Sequence, residues 1–257
     1  MKAGDDPPIV TLTSDFGLAD WYVAAMKAAL LRGGRLELID ITHQIPAGDV
    51  VHGSVVVERA VDAFGAGTTH LAVVDPGVGS KRRMLVVRCR EQLVVCPDNG
   101  LITWAVRRQG PAEFFELTWR PQRFSQTFHG RDIMAPAAGA LARGADVSEL
   151  SRSIDDPVLL DLRPAELGAN RGAIIYCDHF GNAITNIPRD VIEPRPDVRV
   201  LVGGRDLGRV RGHYSQAESG EALALIGSSG LLEISIRDGY AAQTLGLKPR
   251  DEVVLLD

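Results

Sequence analysis

The sequence predicts an α/β protein in two parts: an N-terminal α/β/α layered domain with a mainly parallel sheet over residues 1–165, and a C-terminal antiparallel β-barrel-like domain over 166–257. Three observations lead there. The first 74 residues alternate short apolar runs with helix-like segments in the order strand, helix, strand, helix, strand, the pattern of a parallel sheet covered by helices. Between residues 155 and 172, Pro157, Pro164, Gly168 and Gly172 break every periodic pattern and read as a linker. Beyond it come six short strands bounded by Gly and Pro, with no helix longer than two turns, which is the signature of a small barrel or sandwich.

Taken in order, IVTLT (9–13) is a buried strand, and DWYVAAMKAALLR (20–32) is a helix that Asp20 can cap and Gly33-Gly34 can end. A second strand covers 36–41. The following segment, 49–64, repeats Val50, Val51, Val55, Val56 and Ala60 at near-helical spacing, and a third strand covers 69–74. Residues 84–89 and 93–96, separated by Arg90, Glu91 and Gln92, form an antiparallel hairpin, and 133–143 is another helix. The C-terminal strands fall at 173–177, 183–187, 198–202, 222–226, 231–236 and 252–256.

Composition narrows the function classes. With 45% hydrophobic and 24% charged residues and a net charge of −5, the chain is a globular protein without the clustered Lys and Arg needed to neutralise a nucleic-acid backbone. Cys89, Cys96 and Cys177 show neither CxxC nor zinc-type spacing and read as core thiols in a reducing compartment. The longest apolar stretch, 21–31, is interrupted by Lys27 and is too short to cross a bilayer. The start, MKAGDDPPIV, has acids and a proline pair where a signal peptide needs an apolar core, so the cytoplasm is the expected location.

Polar residues gather where the parallel strands end, the place where open α/β sheets bind ligands. After the first strand comes TSDFG (13–17); its Asp15 either grips a vicinal diol such as a ribose or caps the next turn. After the third comes DPGVGSKRR (75–83), which turns sharply and leaves the Asp75 carboxylate at the sheet edge. Its basic run, Lys81, Arg82 and Arg83, is either a solvated face or part of a site. Neither GxxxxGK[ST] nor GxGxxG occurs, so this is not a phosphate loop. FHGRDIMAP (128–136) sets His129 between an aromatic and Gly-Arg-Asp just before a helix, and His43 in THQIP is the second candidate among six histidines. In the C-terminal part, DHFGNAITNI (178–187) and GSSGLLEI (227–234) carry polar residues that serve either a ligand or only a turn.

Taken together, TSDFG, DITHQIP, VVDPGVGSKRR, PDNG, FHGRDI, DHFGNAITNI and GSSGLLEI, in that order over nearly the whole chain, resemble the adenosine-forming S-adenosyl-L-methionine hydrolases, also called SAM hydroxide adenosyltransferases. These are relatives of the fluorinating and chlorinating enzymes that act on the same substrate. The resemblance implies a catalytic set on Asp75, Arg82 and His129, and substrate contacts from Asp15, Asp178, Phe180, Asn182 and Ser228. It also implies a homotrimer with sites between subunits, and no metal or cofactor. The fluorinating relatives carry Tyr at the positions of Asp75 and His129, Ser at Gly130 and Trp near Gly48, together with an additional loop, and these departures favour water over halide as nucleophile. Ser228-Ser229 stands where the halogenating enzymes have Ser-Arg.

Overall fold

The structure is a computed structural model that describes residues 6–162 and 164–257; the first five residues of the N-terminal segment read above lie outside the described residues. The chain divides into two compact units, the first ending at Asp161 and the second beginning at Leu162.

Unit 1 is built on one seven-stranded sheet. Its strands are β1 (Ile9–Ser14), β2 (Glu37–Thr42), β3 (Thr69–Val73), β4 (Met84–Cys89), β5 (Gln92–Pro97), β6 (Ala112–Leu117) and β7 (Ser151–Ile154), in the order β2-β1-β3-β5-β4-β6-β7. The pairings β1–β2, β1–β3 and β3–β5 are parallel, while β4–β5, β4–β6 and β6–β7 are antiparallel, so the sheet is mixed. The β4–β5 hairpin closes through Arg90 and Glu91, both at positive φ, the geometry of a two-residue turn matched to strand twist.

Helices cover both faces. On one lie α1 (Tyr22–Leu31) and, further along the chain, α4 (Ala135–Ala142). They bury Met26, Leu30, Ala138 and Leu141 against Val10, Leu12, Leu71, Val73 and Val86. On the other, α2 (Val50–Ala63) and α3 (Thr103–Arg108) bury Val57, Val61 and Ala105 against Ala72, Val74, Leu85, Val87 and Cys96. Successive residues of β3 and β4 serve opposite cores, as the two-residue period of a strand requires. A short α5 (Val147–Leu150) precedes β7.

The expected Asp20 cap of α1 is not formed. The N-cap is Trp21, without a side-chain cap bond, because Tyr22 packs edge-on against Phe16 and Phe128 and fixes the helix entry by aromatic contact. At α2, by contrast, the Asp49 carboxylate accepts from His52 N at 2.9 Å.

Unit 2 contains β8 (Arg171–Cys177), β9 (Ala183–Pro188), β10 (Arg199–Val202), β11 (Arg205–Arg209), β12 (Ala222–Ile226), β13 (Leu231–Ile236) and β14 (Glu252–Leu256). Its sheet order is β11-β10-β14-β8-β9-β13-β12, with every pairing antiparallel. A bridge from Arg211, just past β11, to Leu225 on β12 joins the two edges, so the sheet is a nearly closed barrel. Its interior is Ile174, Ile187, Val200, Leu232, Ile234, Val253 and neighbouring apolar residues. The helices among its described residues are short: α6 (Arg189–Ile192), α7 (Ala241–Leu245) and a 3₁₀ turn at Tyr214–Gln216. The strand over 205–209 was not expected from the sequence: RDLGR holds one large apolar residue and gives no run to detect.

Cys89 and Cys96 are core thiols as expected, and burial pushes the Cys96 thiol far above its ordinary value; Cys177 is only partly buried. Among the described residues, no helix is long and apolar enough to cross a membrane.

Candidate active site

The parallel strands β1 and β3 end side by side, Ser14 opposite Val73, and this register delivers Asp15 and Asp75 to one edge of the sheet. Beyond β3 the chain folds back on itself, with Val78 N donating to Asp75 O and Ser80 N to Gly77 O. Gly79 sits at φ +80°, where a Cβ would stand 2.7 Å from the Gln126 carbonyl oxygen, so the turn needs glycine. The fold-back lays Arg82 over the carboxylate it left seven residues earlier. Arg82 Nε donates to Asp75 Oδ1 at 2.7 Å, and Nη2 donates to both Asp75 Oδ2 and His129 Nδ1, the latter at 3.1 Å. The pair is nearly excluded from solvent, with side-chain exposures of 9% for Arg82 and 5% for Asp75.

His129 reaches the pair from a wide turn. Residues Gly130–Met134 form a π-helical turn in which Ala135 N donates to Gly130 O, and Pro136 follows in the first turn of α4. Pro136 has no N–H to continue the ladder, so the widened turn costs no bond at that position. Gly130 packs on β3: a Cβ there would lie 3.1 Å from Val73. The preceding loop is closed by Asp132, which accepts from Ser125 N at 2.8 Å and from both Nε and Nη2 of Arg131.

Burial and then the Arg82 guanidinium push the His129 imidazole below its ordinary value, with Asp75 acting in the opposite direction. The ring is therefore neutral near pH 7. Because Nδ1 accepts from a guanidinium that has only donors, the proton sits on Nε2, which is buried and has no protein partner.

Asp75 and His129 face a cavity of about 480 Å³ that is also lined by Asp15, Phe16, Tyr22 and Phe128. Asp15 Oδ2 accepts from Gly48 N at 2.8 Å, which leaves Oδ1 for a ligand. Trp21, which also lines the cavity, is 58% exposed. The sequence did not single out Trp21 and Tyr22, because they open a helical run and read as its apolar face. Arg83, next to the site arginine, does something else: its Nε donates to Asp98 and its Nη1 to Asp156, at 2.7 and 2.6 Å.

In unit 2, Asp178, Phe180 and Asn182 share one turn. Asn182 donates through N and Nδ2 to the two Asp178 carboxylate oxygens, at 2.9 and 3.0 Å, while Phe180 projects with 72% exposure. Phe180 and Asn182 line a cleft of about 670 Å³ with Tyr214 and Tyr240. Tyr214 donates its hydroxyl to Glu233, whose carboxyl is raised by burial; neither residue was singled out from sequence, since LLEI reads as an ordinary strand. Ser228 is exposed on the β12–β13 turn, next to Gly227, whose backbone packs directly against the Glu233 carboxylate. Among the described residues, no group of three or more His, Cys, Asp or Glu side chains is placed to hold a metal ion.

Residues 10–151 match the family model of the SAM hydroxide adenosyltransferase N-terminal domain, and residues 172–254 match that of the C-terminal domain. The chain belongs to the SAM hydroxide adenosyltransferase family. It is 37% identical to a protein of Salinispora tropica named (R)-S-adenosyl-L-methionine hydrolase, over 96% of this chain and 97% of the relative. A crystal structure of a conserved protein from Thermotoga maritima superimposes with a TM-score of 0.89 at 35% identity, covering 96% of this chain and all of the other. The fluorinase of an Actinoplanes species is more distant, at 24% identity over 94% of this chain and 95% of that enzyme.

Proposed function

We propose that this SAM hydroxide adenosyltransferase hydrolyses S-adenosyl-L-methionine to adenosine and L-methionine, with the linked Asp75–Arg82–His129 set preparing the water. The observation that carries the reading is Asp75 and His129, joined through Arg82, standing on the same cavity as Asp15. A water oxygen forms a bond to C5′ as the C5′–S bond breaks. The bonding pair leaves on sulfur as a neutral thioether, and the water proton passes to the protein. Bulk water has a pKa near 15.7, so hydroxide at pH 7 costs about 12 kcal/mol at ~1.36 kcal/mol per unit.

The task divides among the three side chains. The Arg82 charge stabilises the developing hydroxide, and His129, accepting from Arg82 Nη2 through Nδ1, holds the guanidinium in place. Asp75 takes the proton, since each of its oxygens keeps a lone pair beyond the one given to Arg82. Anionic nucleophile and cationic sulfonium neutralise each other in the transition state, so a cavity with few mobile waters lowers the reorganisation cost. Asp15 Oδ1 holds the ribose hydroxyls. Phe180 and Asn182 supply the ligand face of unit 2, with Asp178 bracing Asn182. Exposed aromatic residues in each unit, among them Trp21 in unit 1 and Phe180 and Tyr240 in unit 2, support assembly as a homotrimer in which unit 2 of a neighbouring copy meets the cavity. Light scattering should then return three times the chain mass. The reaction uses only water and substrate, and three free cysteines fit a reducing cytoplasm.

Incubation with S-adenosyl-L-methionine and chromatography of the products tests the reading. Equimolar adenosine and methionine are expected. A 5′-halo-5′-deoxyadenosine formed only with added halide, or tight binding without product, would overturn it. The pH dependence is a second check. Neutral His129 is the working form, and its lowered folded value puts the midpoint of its protonation below pH 6.5. kcat/KM is therefore expected to reach half of its plateau value only below pH 6.5, where imidazolium can no longer accept from Arg82.

A further inference from the structure

A second polar chain lies behind the cavity, and the proposed mechanism does not use it. Lys27 Nζ on α1 donates to Asp40 Oδ2 on β2 at 2.5 Å, and Asp40 Oδ1 faces His43 Nε2 at 3.1 Å. His43 Nδ1 lies 2.7 Å from Ser14 Oγ, and Ser14 Oγ accepts from Phe16 N at 3.4 Å. Only one proton arrangement satisfies every member. Asp40, paired with Lys27, accepts from His43 Nε2–H; Nδ1 is then an acceptor, Ser14 must donate to it, and the Ser14 oxygen is left to accept from the backbone. The inner part is dry, with Ser14 fully buried and His43 3% exposed, while Asp40 and Lys27 reach solvent.

The arrangement resembles a Ser–His–Asp set, but a hydroxyl with no exposure cannot meet a substrate. Its output is the backbone on either side of Asp15. The segment is tied to the loop after β2 at three points: Ser14 to His43, Gly17 N to the His43 carbonyl at 2.7 Å, and Gly48 N to the Asp15 carboxylate. We infer that His43 is a positioning residue, the hub of a relay from Lys27 and Asp40 through Ser14 that holds Asp15 and Phe16 in place for the adenosyl ligand. This rests on the reading of Asp15 as the ribose contact.

A residue acting through Asp15 alters ligand binding and leaves the Asp75–Arg82–His129 chemistry intact. His43→Ala is expected to raise KM for S-adenosyl-L-methionine about tenfold, the loss of one good buried hydrogen bond, with kcat within about twofold. Asp40→Ala, at a position open to solvent and safe for folding, should move KM the same way, and Asp40→Asn, which keeps an acceptor for Nε2–H, should restore most of it. In an Asp15→Asn background, Asp40→Ala should change KM no further. Calorimetric binding of adenosine to the wild-type protein separates the two levels. If wild type binds neither adenosine nor S-adenosyl-L-methionine, the ribose reading fails and the inference falls with it. If wild type binds both and the Asp40 and His43 variants bind as well as it does, the positioning role alone is overturned. Equal losses in kcat and melting temperature without a KM change would likewise overturn it.

Discussion

Asp75→Asn is expected to retain S-adenosyl-L-methionine binding while adenosine formation falls roughly 10²–10⁴-fold, the range for loss of a positioned proton acceptor. Asparagine has nearly the same shape and still offers one oxygen to Arg82, so the turn from Asp75 to Arg82 keeps its path. What disappears is the negative charge opposite the guanidinium and the second acceptor oxygen. The neutral amide cannot take a proton from water at pH 7. Chromatographic quantification of adenosine and methionine, with calorimetry for binding, checks both halves. Turnover equal to wild type would remove Asp75 from the mechanism.

The adjacent arginines should separate cleanly. Arg82→Ala is expected to lower kcat by roughly 10²–10³-fold, the cost of losing one preorganised donor to a developing anion. It also strands a carboxylate that is 95% buried, so the melting temperature should fall. Arg83→Ala removes the clamp on Asp98 and Asp156 and should cost about 1–3 kcal/mol of stability through the unpaired buried Asp98, with kcat changed only a few-fold. The two activities, measured on folded protein at saturating substrate, decide between them. The opposite order would place the water-activating charge one residue along.

Much of this was legible in the residues. The strand ends at TSDFG and VVDPG marked where polar groups must collect, because apolar runs buried on both faces leave their exits as the open edge. FHGRD marked His129. The join between them was not legible from spacing, since Arg82 and His129 are 47 positions apart and only folding lays one on the other. For the run Lys81-Arg82-Arg83, the two competing readings each hold in part: Lys81 is exposed, whereas Arg82 and Arg83 are committed to different carboxylates. Strands β6 and β7 escaped detection for a physical reason. AEFFEL breaks alternation with two adjacent aromatics, and SRSI has a single apolar residue; each exists because a neighbour's edge was available to pair with.

The π-helical turn at Gly130–Met134 acts as a phase setter. An α-helix advances about 100° per residue, so one residue more in a turn rotates everything before it by that amount relative to the rest of the helix. Excising one residue from this turn would restore a regular ladder into α4 and swing His129 by about a quarter revolution, carrying Nδ1 off Arg82. The alignment of Asp75, Arg82 and His129 thus depends on the count of residues in one turn as well as on their identity, and a single-codon deletion there is expected to break the Arg82–His129 contact without altering any of the three.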